Sequence, residues 1–314
     1  MLKKLEKIKS IFKNSPLAKI KVEFLGKTKF VFAKCEWFSL TGSIKDKVAY
    51  QIFYDAIKQN IVNQNTKIVE VTSGNMGISV CAIANILNLS TTIILPKNMS
   101  EERKKLLKLY GANLIEVPDF KSAFKLCSQF EQQGYFCPHQ FENKSNFNAH
   151  YKITGKELAK KLKDYKCNNF VCGVGTSGSL SGCGSYLKEH LNLKVIAIQP
   201  KNSQILTNTP PFGKHKLQGL ADEIVPKLYS FNLVDSVISI TDEDAISMSQ
   251  KLCNELSLGV GISSGANFLG AVLCEGNNVT LFADDNKKYL STDLSIPITT
   301  NLTSQIKLLD IEFI

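Results

Sequence analysis

No apolar run in the 314 residues approaches the roughly 18–20 that a membrane-spanning helix needs, so no membrane association is expected. The basic start, MLKKLEKIKSIFKNSP, lacks the apolar core of a secretory signal. Its Leu2, Leu5, Ile8 and Ile11 recur at near-helical spacing and predict a short amphipathic helix lying on the body. None of the nine cysteines forms a C-x-x-C pair. An odd number scattered through predicted strands and helices points to free thiols in a reducing cytoplasm. Cys137 and His139 are neighbours in sequence, but no second pair completes a zinc site, and no metal is expected. The formal charge is +10 without any basic–aromatic run. The lysines are spread along the chain, which argues against nucleic acid as a partner and for a surface that attracts small anions.

Two further absences remove well-known activities. GVGTSGSLSG (173–182) contains G-x-G-x-x-G, but the next predicted strand, KVIAIQP, ends at Gln199 without the acid that a dinucleotide ribose requires. GISSG (261–265) matches the hydrolase elbow G-x-S-x-G, yet the last of the four histidines, His215, lies upstream. A Ser…Asp…His order is therefore impossible.

What the sequence does have is alternation. The β-branched runs KIVEVTSG, TTIILP, NLIEVP, NNFVCGVG, KVIAIQP, VDSVISIT and NVTLFAD alternate with helical segments, predicting α/β architecture with parallel sheets covered by helices. Ser100 before Glu101-Glu102 and Thr241 with Asp244 read as helix caps. Ligands in such sheets gather at the carboxyl ends of strands.

Three loops carry chemistry there. SLTGSIKDK (39–47) sets Lys45 between a glycine turn and a helix start. VTSGNMG (71–77) offers Thr72, Ser73 and Asn75 beside free helix N–H groups, a carboxylate site. The turn at Gly175–Ser179 suits a single phosphate. An amine, a phosphate cradle and carboxylate donors are the set that pyridoxal 5'-phosphate needs with an amino-acid substrate.

The sequence resembles the fold-type II pyridoxal-phosphate enzymes of the cysteine synthase (O-acetylserine sulfhydrylase) and cystathionine β-synthase family. The likeness runs in order through SPLAKI, TGSIKDK, TSGNMGIS, MSEERKKLLKLYGA, QFENKSN, HYKITGKEL, GVGTSGSLSG, HKLQGLADEIVP, ITDEDA, GISSGAN and KKYLST. It implies two three-layer α/β/α lobes with mostly parallel sheets, of the tryptophan synthase β type. Residues 1–41 and 147–314 would form a larger cofactor-binding lobe, and 42–146 a smaller mobile lobe. The resemblance also implies a cytoplasmic homodimer.

By the same resemblance, Lys45 would bind the cofactor as an imine and then move the substrate Cα proton. Asn75 would bond the cofactor's ring oxygen, Thr72, Ser73 and Gln140 the substrate carboxylate, and Gly175, Thr176, Ser177, Gly178 and Ser179 the phosphate. Asp284 falls where relatives often place a serine beside the pyridine nitrogen. Met76 replaces a common threonine at the substrate site, Ser177 a common glycine, and Asp222 and Glu223 lie near the expected mouth. The implied reaction is β-replacement on a three-carbon amino acid through an α-aminoacrylate, as in cysteine formation from O-acetylserine and sulfide. An alternative consumes cysteine, releases hydrogen sulfide and adds water or a thiol to give serine, lanthionine or cystathionine, with Asp222 catalytic. A non-catalytic scaffold relative is the alternative of another class.

Overall fold

The computed structural model describes residues 1–220 and 224–314. Strands β1 (Leu17–Phe24), β2 (Lys27–Cys35), β3 (Ile68–Val71), β4 (Thr91–Pro96), β5 (Asn113–Val117), β6 (Asn169–Gly173), β7 (Lys194–Pro200), β8 (Ser236–Ile240), β9 (Asn278–Phe282) and β10 (Ile306–Phe313) form two sheets. One has the order β10-β1-β2-β9-β6-β7-β8, the other β3-β4-β5. Each of the seven expected strands is present. From β2 to β8, and throughout the smaller sheet, neighbours are parallel.

The antiparallel addition β10-β1-β2 was not expected. Its hairpin turns at Leu25 and Gly26, both with positive φ, the geometry that matches strand twist in a two-residue loop.

Period-2 burial explains the layers. In the larger sheet Val171, Ile196 and Ile198 face one core with Phe268 and Leu252, while Phe170, Cys172, Val195 and Ala197 face another with Leu158 and Leu187. In the smaller sheet Ile93 and Leu95 point one way and Ile94 the other.

Helices α1 (Leu2–Ile8), α2 (Lys45–Lys58), α3 (Asn75–Leu87) and α4 (Glu101–Leu109) contribute to one side of the smaller sheet. Helix α5 (Phe120–Gln132) covers its other side. Then come α6 (Lys144–Ala149), α7 (Lys156–Leu162), α8 (Gly178–Leu191), α9 (Asp242–Leu256) and α10 (Ile262–Leu273). The expected N-terminal helix is α1, anchored by the buried Leu5.

Thr241 caps α9 as expected, accepting from Asp244 N at 3.1 Å. Ser100 does not cap α4 with its side chain; its hydroxyl donates to Lys288 O at 2.8 Å instead. A tertiary bond has displaced the local one. All nine cysteines are free thiols. Among the described residues no helix is long and apolar enough to cross a membrane.

Candidate active site

The ends of β3 and β6 converge on one cavity of about 1310 Å³. The loop after β3 brings Thr72, Ser73, Asn75 and Met76 to its lining, and the turn after β6 brings Gly175 and Thr176. Lys45 lines it from the start of α2, and Gln140 from the segment before α6.

The loop carrying Lys45 is strapped to the end of β9. Ile44 N donates to Ala283 O at 2.8 Å, Ser43 pairs with Asp284, and Lys288 Nζ donates to Gly42 O at 2.6 Å. The buried Asp46 carboxylate accepts from Thr41 N and Oγ1 and from Ser79 Oγ, fixing the turn against α3. Burial lowers the Lys45 pKa, while Cys172 and Asp284 act in the opposite direction. A desolvated amine is held closer to its neutral, nucleophilic form.

Thr72 Oγ1 accepts from the N–H groups of Gly74 (2.9 Å) and Gly77 (3.3 Å), leaving its own proton to donate. Gln140 has both amide N–H groups engaged, with Glu70 Oε1 at 3.1 Å and Val71 O at 2.9 Å. Glu70 is buried, and burial raises its pKa well above the ordinary value, which favours the protonated form beside Gln140.

At the phosphate turn Ser177 takes φ +65° as the N-cap residue of α8, the left-handed angle that its replacement of a glycine demands. Gly175 has no room for a side chain: a Cβ would lie 2.1 Å from Gly219 O. At Gly178 it would meet Asn146 Oδ1 at 1.9 Å. Thr176 Oγ1 is held by Asn146 Nδ2 at 2.9 Å. The first-turn N–H groups of α8 have no intrahelical acceptors, as at any helix start, and suit an anion.

Asp284 is fully buried. Its Oδ2 accepts from Asn75 Nδ2 at 2.7 Å and Tyr289 OH at 2.8 Å, and its Oδ1 is buried without a partner among the described residues. Asn75 Oδ1 is likewise orphaned. Burial raises the Tyr289 pKa and keeps its phenol a donor. Asp222 and Glu223 lie outside the described residues; Gly219, Leu220 and Ile224 around them line the cavity.

The sequence reading missed several groups. Arg103 from α4 lies over the Tyr289 ring, 4.5 Å from its centroid, beside Asp284, and donates to Gln218. Its only local sign is Gly74. That residue has φ +138°, and a Cβ there would meet Arg103 Cδ at 2.3 Å. His150 is buried with its Nε2 unpartnered; burial and then the Lys45 charge push its pKa down to about 3. Lys47, two residues past Lys45, sits in a buried network with Glu36 (2.9 Å), Glu157 and Lys34.

These residues fit pyridoxal phosphate. A desolvated amine, a phosphate turn closed by glycines and the unpaired oxygen of Asn75 line one cavity, and the buried Asp284 carboxylate is bonded to Asn75 behind that lining.

The comparisons agree with that class. The family model for pyridoxal-phosphate-dependent enzymes matches residues 8–284. Cysteine synthase B of Campylobacter jejuni is 37% identical over 300 residues, covering 92% of this chain and 98% of that protein. The hydrogen sulfide-producing enzyme of Fusobacterium nucleatum superposes with a TM-score of 0.93 at 36% identity, covering 100% of each chain. For the cysteine synthase of Entamoeba histolytica the TM-score is 0.85 at 29% identity, over 95% and 93% of the two chains. The chain is a pyridoxal-phosphate-dependent enzyme. Within that class it belongs to the cysteine synthase family.

Proposed function

We propose that the enzyme replaces the β-substituent of a three-carbon amino acid, with O-acetylserine and sulfide giving cysteine and acetate. The observation that carries this is the shared cavity of Lys45, the Thr72–Met76 loop and the Gly175–Thr176 turn. Pyridoxal phosphate, when bound, supplies the electron sink that stabilises negative charge at Cα. Lys45 would hold it covalently and then carry the Cα proton. Thr72 and Ser73 would donate to the substrate carboxylate, joined by Gln140 once it releases Glu70 or Val71. The N–H groups of Gly175–Ser179 would hold the phosphate, and Asn75 the ring oxygen. Asp284 would face the ring nitrogen, positioned by Tyr289 and Arg103. Met76 would offer an apolar wall where a hydroxyl is common. The work of the chain is positioning and charge placement. Residues 1–41 with 147–314, and 42–146, would be the two lobes of a cytoplasmic homodimer.

A second reading is supported by the likeness to the hydrogen sulfide-producing enzyme, whose 36% identity stands level with the 37% of the Campylobacter cysteine synthase B. A variant of the former with one aspartate changed to asparagine was solved with a reaction intermediate bound. On this reading cysteine is the substrate, sulfide leaves, and water or a thiol adds. Asp222, or Glu223 in its place, would accept the nucleophile's proton. The same carboxylate at about 4 Å would repel a sulfide anion by roughly 4 kcal/mol at an effective dielectric near 20.

Steady-state assays separate the two: O-acetylserine plus sulfide against cysteine alone, with cysteine, sulfide and serine quantified. Faster turnover of the first pair supports cysteine synthesis, and faster sulfide release supports the second reading. Asp222→Asn should lower only the cysteine-consuming rate. Wild-type rates from that variant in both assays would remove Asp222 from the chemistry.

A further inference from the structure

Next to the Lys45 cavity, and sharing Gln140, Phe141 and Phe124 of α5 with it, lies a second cavity of about 380 Å³. Cys127, Glu131, Cys137 and His139 are among its lining residues. Linear spacing offers only the Cys137-x-His139 pair. Helix α5 supplies the second pair, because Cys127 and Glu131 are four residues apart and share one helix face. Cys127 Sγ and Cys137 Sγ lie 3.2 Å apart, and both residues are buried. One donor atom each from Cys127, Glu131 and Cys137 falls within 4.8 Å of the other two. His139 Nε2 is 2.5 Å from Glu131 Oε1, and its Nδ1 is 3.7 Å from Glu142 Oε1.

We propose that Cys127, Cys137 and Glu131 bind a divalent ion of the zinc type, with His139 as the fourth donor. Two thiolates, a carboxylate and an imidazole are ligands that zinc takes in tetrahedral geometry. Metal–sulfur bonds of about 2.3 Å require the sulfurs to open from 3.2 Å to about 3.8 Å in that geometry. The imidazole must exchange its bond to Glu131 for the ion, and its side chain is 43% exposed and able to turn. Glu142 behind Nδ1 would orient the ring, the usual outer partner of a ligating histidine.

The site rests on rigid elements. Phe136 is bonded to the edge of β3 through Phe136 N–Lys67 O at 2.8 Å and Val69 N–Phe136 O at 3.0 Å, fixing the entry to Cys137. His139 holds φ +51°, a left-handed angle that a non-glycine residue adopts at some cost. Each thiol gives up its proton to solvent as the ion binds, and no redox step is involved. An ion here would tie α5 to the segment that ends in Gln140. This placement does not depend on which substrates the enzyme uses.

The test is made on full-length, cofactor-loaded protein kept reduced, incubated with zinc chloride and desalted. Elemental mass spectrometry should find about one zinc per chain, as a closed site of this type holds. Cys137→Ser should abolish retention. Glu131→Gln, at a position 31% exposed and so tolerant of change, should weaken zinc binding at least tenfold, and His139→Ala likewise. Where Cys137→Ser does not fold, those two variants decide. The proposal is overturned by wild-type protein that retains no zinc, by variants that bind zinc as the wild type does, or by peptide mapping that finds a Cys127–Cys137 disulfide in the reduced preparation.

Discussion

Arg103 Nη2 lies 3.6 Å from Asp284 Oδ2, with each side chain only 1% exposed. The pair spans the two sheets: Arg103 comes from the helix between β4 and β5, Asp284 from the end of β9. Two flanking bonds make it a clasp, Ser100 Oγ to Lys288 O and Ser291 Oγ to Glu102 Oε2. Arg103→Met would leave the Asp284 carboxylate buried with only its neutral donors Asn75 and Tyr289. The expected loss is about 3 kcal/mol, the low end for breaking a buried pair. Urea unfolding should show the midpoint fall, and Arg103→Met combined with Asp284→Ser should recover part of it. A single mutant as stable as the wild type would mean that the pair is not coupled.

Lys45→Ala should abolish turnover and the visible absorbance of the bound cofactor while leaving the fold intact. Among the described residues Lys45 makes no ion pair, so its removal strands no partner charge there. Circular dichroism checks the fold. Substantial β-replacement by the folded mutant would end the assignment.

Thr72→Ala should reduce kcat/KM for the amino-acid substrate by about ten- to a hundredfold, the effect of losing one charge-assisted hydrogen bond of roughly 1.5–3 kcal/mol. Gln140→Ala should also weaken substrate use and, in addition, lower stability, because Glu70 and Val71 O lose their common donor. Unchanged kinetics in Thr72→Ala would refute its contact with the carboxylate.

The buried network beneath Lys45 makes stability depend on pH at both extremes. Burial alone would raise the Glu36 pKa, but the charges of Lys47 and Lys34 win and it is lowered. Its contribution is therefore present above the ordinary carboxylate range and is lost as pH falls through the folded value. Lys47 is the mirror case: Glu36 and Glu157 overcome burial and raise its pKa. That contribution is complete below the ordinary lysine range and is lost as pH rises through the folded value. Melting temperature measured from acid to alkaline pH should fall at both ends. Glu36→Gln should lower the plateau and flatten the acid limb. A parallel acid limb in that mutant would show that other carboxylates govern it.

Much of this protein was readable along the chain because its signals are local. Seven strands declared themselves by β-branched runs between caps, and the loops Thr72–Gly77 and Gly175–Ser179 open α3 and α8 after strands, as their residues predict. The angle at Ser177 followed from one substitution in a glycine turn. Strands β1, β2 and β10 were not legible in the same way. The pairing of β10 with β1 joins segments nearly 300 residues apart, and no local pattern encodes such a partner.

The helix that starts at Lys45 and the family to which the chain belongs were legible in the sequence alone, since helix starts and ordered motifs are written in neighbouring residues. The tertiary structure decided what those residues meet. Ser100 reads as a cap but bonds Lys288 O, and Arg103, which the sequence did not single out, is buried against Asp284 and Tyr289. Gln140, expected from sequence at the substrate carboxylate, lines the cavity, and packing gives its amide the partners Glu70 and Val71 O. Cys137 and His139 gain Cys127 and Glu131 only when α5 packs on the smaller sheet. In each case a buried polar group takes the best partner that packing brings within reach, and sequence distance has no bearing on that choice.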